Sequence, residues 1–94
     1  MNITTFKESL LQSEPPQNSS AYLSALWYDA KGDWDNAHKL IQDIEDKNAA
    51  WIHAYLHRKE GDNSNADYWY NLAGKKRSNA SSEKEWEEIV SALI

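Results

Sequence analysis

Ninety-four residues with a mass of 10.8 kDa are enough for one small domain built around one core. A hydrophobic share of 40%, a charged share of 27% and a mean hydropathy of −0.85 exclude fibrous and low-complexity chains, and the absence of cysteine excludes disulfide staples, thiolate metal sites and a thiol nucleophile. Fifteen acidic against ten basic residues give a formal charge of −5, the wrong sign for a phosphate backbone, so no nucleic-acid partner is expected.

No run approaches the roughly 20 apolar residues that cross a bilayer, and the first twenty residues lack both a basic start and an apolar leader core. A cytoplasmic chain with no membrane partner is therefore expected. Five Trp, five Tyr and one Phe are the unusual feature. Each large ring can bury on the order of 150–250 Å², so rings can supply the core that few Leu, Ile and Val would otherwise leave thin.

In chain order, Thr4 or Thr5 can cap a first helix carrying Phe6, Leu10 and Leu11, which Pro15-Pro16 ends near Ser13. Asn18, Ser19 and Ser20 offer caps for a second, with Tyr22, Leu23, Leu26, Trp27 and Ala30, closed by Gly32. Asp33 caps a third that sets Trp34, Ala37, Leu40, Ile41 and Ile44 on one face. Asn48 can cap a fourth, Ala49 to about Glu60, apolar around most of its circumference and hence central. Gly61 ends it. Asp62 or Ser64 starts a fifth helix through Ala66, Tyr70 and Ala73 up to Gly74, and the basic run Lys75-Lys76-Arg77 follows. The last helix opens at Ser81-Ser82, with Ser82 and Glu85 in capping-box spacing and a stripe of Trp86, Ile89, Val90, Leu93 and Ile94. No segment alternates with a period of two, so the fold is expected to be all-α.

Gly32-Asp33 and Gly61-Asp62 stand 29 residues apart, and the same offset pairs Ala25 with Ala54, Asn36 with Asn65 and Ala37 with Ala66. Two helix–Gly-Asp–helix hairpins follow, with small residues where helix axes approach closely. Through Ala21, Ser24, Ala25, Tyr28, Ala37 and Ile41, and again through Ala50, His53, Ala54, His57, Ala66 and Tyr70, residues 20 to 74 resemble the tetratricopeptide repeat. The run Trp51 to Asp62, with Asn65-Ala66 and Tyr68-Trp69-Tyr70, is also similar to a small bacterial family of no assigned activity.

The resemblance implies two tetratricopeptide-like helical hairpins with an N-terminal helical arm and a C-terminal capping helix. The single domain 1–94 then divides into an arm and Pro-Pro hinge (1–17), the hairpins (18–74) and the capping segment (75–94). It also implies a noncatalytic protein–protein interaction module, its partner an unidentified protein or peptide. Two hairpins fall below the roughly three repeats that sustain a solenoid, so the last helix or a second copy, as a homodimer, must seal the stack end. The binding groove would be lined by Tyr22, Asp29, Asn48, Trp51, Tyr55 and Arg58, aromatic and arginine anchors of the kind hot spots use. The alternative reading of Trp51 and Tyr55 is core, covered by the first or last helix.

Glu83, Glu85, Glu87 and Glu88 read as a solvated first half of the last helix, and Arg58, Lys59, Lys75, Lys76 and Arg77 as a solvated helix-end cluster. No nucleophile elbow or glycine-rich phosphate loop exists, so catalysis has no support in the sequence. His53 and His57 stand four apart on one helix, the spacing at which two imidazoles can share a metal, and His38 could be a third ligand. Ala54 stands where a zincin motif places Glu. The expectation is packing histidines with no metal and no cofactor; the alternative is a small metal- or ligand-binding protein or enzyme centred on His38, His53 and His57.

Overall fold

The computed structural model describes all residues, 1–94, and is all-helical: α1 (Ile3–Glu8) running into a 3₁₀ turn (Ser9–Leu11), α2 (Ala21–Ala30), α3 (Trp34–Ile41), α4 (Lys47–Lys59), α5 (Asn63–Ala73) and α6 (Ser82–Leu93). None of these helices is long and apolar enough to cross a membrane.

Every helix starts on a side chain that accepts one of the free backbone N–H groups of its first turn, a contact worth about 1 kcal/mol. Asn2, Ser20, Asp33, Asp46, Asp62 and Ser81 serve in turn. Three of these differ from the sequence expectation. Asn2 rather than Thr4 or Thr5 caps α1, Asp46 rather than Asn48 caps α4, and Ser81, accepting from the amide of Lys84, replaces the Ser82–Glu85 box. The last change has a cause: Glu85 is turned into the protein interior and is not available to cap.

The two Gly-Asp turns have one geometry. Gly32 and Gly61 take φ of +84° and +90°, a region costly for any residue with a Cβ. The Asp33 and Asp62 amides then donate to the carbonyls of Tyr28 and His57 at 2.8 and 2.9 Å. With this turn repeated, α2 pairs with α3 and α4 with α5.

α4 is the centre. Ala49, Ile52, Tyr55 and Leu56 join a cluster with Phe6, Ala25, Leu26, Trp27, Ala37, Ile41, Trp86, Ile89 and Val90, while Ala54 packs on Ala66 and Tyr70 of α5. α6 lies across α4 and α2, and the Trp86 indole N–H donates to the Leu26 carbonyl at 2.9 Å. α1 closes the same side, with Phe6 and Trp86 rings 5.8 Å apart. Leu11 and Leu40, placed on apolar faces by periodicity, are exposed, as is Ile94. Leu11 falls in the 3₁₀ turn, where α-helical spacing no longer governs which side a residue faces.

Candidate metal centre

Of the expected groove residues, Asp29 and Tyr55 are buried, Tyr22, Trp51 and Arg58 are half-buried and Asn48 is exposed. Tyr55 and Asp29 are 1% and 2% exposed, and the Tyr55 hydroxyl donates to Asp29 Oδ2 at 2.6 Å while Lys59 Nζ holds Oδ1 at 3.0 Å. Burial, followed by the Asp29 carboxylate, pushes the Tyr55 phenol well above its usual range, so it stays a donor.

Arg58 reaches Glu85 of α6 at 2.8 and 3.0 Å and the Ala80 carbonyl at 3.1 Å. Burial opposes the guanidinium charge, but the hydrogen bonds it donates to Glu85, with the carboxylate charge, outweigh this and raise its pKa. Glu85, 1% exposed, also accepts from the Tyr70 hydroxyl and the Trp51 indole. Glu85 thus departs from the solvated row expected of it, because three donors from α4 and one from α5 await it inside. Trp51 is half-buried under Lys75, whose Nζ stands 4.1 Å above the ring. Tyr22 is half-buried and donates to Asp46, and Asn48 is exposed. What remains open here is a hollow of about 470 Å³ bordered by Lys7, Leu10, Asp29, Lys59 and Trp86.

The basic residues divide. Arg58 pairs with the buried Glu85 and Lys59 with the buried Asp29, while Lys75, Lys76 and Arg77 are exposed, with Arg77 beside the exposed Asp67.

The opposite side of α4 carries the histidines. Four residues apart on one helix, His53 and His57 stack with ring centroids 4.8 Å apart. α3 delivers His38, whose Nε2 lies 2.9 Å from Nε2 of His53. One ring nitrogen from each of the three lies within 4.8 Å of the other two. Two indoles brace the group: Trp34 stacks on His38 at 4.8 Å and donates to the Leu56 carbonyl, and Trp69 of α5 lies face to face with His53 at 3.8 Å.

His53 and His57 are 5% and 7% exposed and His38 is half-buried. Burial first, then the neighbouring imidazoles, lowers the pKa of His53 to about 4 and also lowers that of His38. Neutral imidazoles with lone pairs are the form that coordinates a metal.

Two polar residues that the sequence reading passed over complete the surroundings. Glu60, the residue that ends α4, lies with Oε1 2.7 Å from His57 Nδ1, and the Asn65 amide nitrogen is 3.4 Å from His57 Nε2. The signals were present in spacing: Trp34 stands four before His38, and Glu60 three after His57, both distances at which helical side chains meet. Trp69 and Asn65 come from another helix, and no local pattern announces them.

Compared with family models, curated proteins and solved structures, the chain shows no match.

Proposed function

We propose that this chain binds a divalent transition-metal ion through His38, His53 and His57. The observation that carries the reading is the convergence of three ring nitrogens within 4.8 Å, two of them 2.9 Å apart. Around a tetrahedral ion with nitrogen ligands at about 2.0–2.1 Å, ligand atoms lie roughly 3.3 Å from one another. The pair His38–His53 therefore needs to open by only a few tenths of an ångström. An all-imidazole set suits zinc, copper or nickel over magnesium or calcium, and three ligands leave a fourth position for water or an incoming group.

Metal-free, untagged protein titrated with Zn²⁺, Ni²⁺ and Cu²⁺ in a calorimeter tests this. One ion per chain is expected, with His38→Ala and His53→Ala each losing the binding. No uptake by the wild type, or uptake indifferent to both substitutions, would overturn it.

A second reading, the tetratricopeptide-like interaction module, is favoured by the repeated Gly-Asp turn. Since α6 and α1 cover the expected groove, its contact surface would be the outer side of α5, where Tyr68 and Leu72 stand four apart and are 60% and 47% exposed. Light scattering of Tyr68→Ser/Leu72→Ser against wild type reads self-association through that surface; equal masses would remove the homodimer form of the idea.

A further inference from the structure

Resting on the metal-binding reading, we propose that Glu60 is the positioning residue of the centre, holding His57 in the tautomer whose Nε2 carries a lone pair, which an ion would take in place of the 3.4 Å Asn65 contact. A carboxylate only accepts, so the 2.7 Å contact of Oε1 places the ring proton on Nδ1 of His57. A neutral imidazole carries one such proton, and Nε2 is then an acceptor.

The contact on the other edge of the ring fits the same tautomer. The Asn65 amide nitrogen, a donor, stands 3.4 Å from Nε2. A ring protonated on both nitrogens would turn its Nε2–H toward that amide, donor against donor. Glu60 at the end of α4 thus sets the tautomer, and the Asn65 amide in the first turn of α5 complements it.

The first hairpin shows that this arrangement is not a by-product of the repeat. At the 29-residue offset, Tyr28 answers His57, Lys31 answers Glu60 and Asn36 answers Asn65. Lys31 reaches away to the carbonyls of Leu10 and Gln12, and the Asn36 amide folds back on its own cap, Asp33, at 2.7 Å. Only in the second hairpin do both positions turn toward a ring nitrogen.

A carboxylate on the far nitrogen of a ligating histidine orients the ring and raises its basicity, and losing such a partner typically lowers metal affinity about 10–100-fold. Glu60 is itself 40% exposed on its side chain and belongs to no apolar cluster, so replacing it leaves the core intact.

The experiment has two arms. In metal-free protein labelled with ¹⁵N, two-bond proton–nitrogen correlation spectra assign the tautomer of each histidine. His57 is expected with a protonated Nδ1 and a bare Nε2, and Glu60→Ala is expected to give a mixture. In the second arm, Zn²⁺ titration should show Glu60→Ala about 10–100-fold weaker than wild type, with Glu60→Gln recovering most of the loss through its amide oxygen.

An unchanged tautomer in Glu60→Ala, or an affinity equal to wild type, would overturn the proposal. So would a loss beyond about 1000-fold with no rescue by Gln, which would make Glu60 a ligand rather than a positioning residue. Failure of the wild type to take up Zn²⁺ would instead remove the metal reading, while the tautomer spectra still decide what Glu60 does to His57.

Discussion

The two sides of α4 use polar groups in opposite ways. Toward α2 and α6, Asp29 and Glu85 are buried with Tyr55, Lys59, Arg58, Tyr70 and Trp51 around them, each carboxylate matched by a cation and by neutral donors. Toward α3 and α5, three imidazoles meet, His38 bonded to His53 and His57 to the part-exposed Glu60, with indoles bracing the group. The first arrangement is closed, because each group already has its complement. The second keeps lone pairs that an ion could take up by small ring rotations. Burial alone does not distinguish the two sides; the balance of donors and acceptors does.

The sharpest way to break this comparison is Glu85→Ala. It strips the charge partner from Arg58 and the acceptor from Tyr70 and Trp51, and removing one member of a buried pair typically costs about 3–5 kcal/mol. Chemical denaturation measures it, and a cost below about 1 kcal/mol would mean that the closed side is dispensable.

The histidine side should respond to acid. His53 is held neutral down to about pH 4 in the folded chain, against an ordinary value near 6.5, so between those values the unfolded state binds more protons. Stability of the metal-free protein is therefore full above about pH 6.5 and falls as the pH is lowered toward 4, by roughly 1–3 kcal/mol. Melting curves across that range test the slope, and His53→Gln should flatten it.

Tyr55→Phe is milder, about 1–2 kcal/mol, since Asp29 keeps Lys59 when the phenolic donor is lost. Smallest of all is His38→Ala. The half-exposed ring should cost less than about 1 kcal/mol of stability, yet the same variant should abolish metal uptake. Melting and Zn²⁺ titration on one sample compare the two effects, and a large destabilisation would place His38 among the structural groups.

The helices, their order and the central position of α4 were legible in the sequence because caps, glycines and 3.6-residue periodicity are local signals. Gly32-Asp33 and Gly61-Asp62 specified their turns fully, since positive φ and an N-cap follow from two adjacent residues. Glu85 was not legible. Its neighbours Glu83, Glu87 and Glu88 mark a solvent-facing run, and the donors that draw Glu85 inward come from residues 15 to 34 positions away. Whether Tyr55 was groove or core was open for a related reason: which helix covers α4 is decided by tertiary packing, and the amphipathic stripe of α6 is compatible with several partners. The histidines fall between these cases, His53 and His57 readable as a pair, with the 2.9 Å approach of His38 fixed only by how α3 docks.

The face-to-face contact of Trp69 with His53 at 3.8 Å also makes the centre visible to light. An excited indole in van der Waals contact with an imidazole passes an electron readily once that ring is protonated or bears a paramagnetic ion, and its emission is then quenched. Subtracting the spectrum of Trp69→Phe from that of the wild type isolates this one fluorophore among five. Protonation of these imidazoles, or an ion added to them, can thus be followed with no dye or label attached.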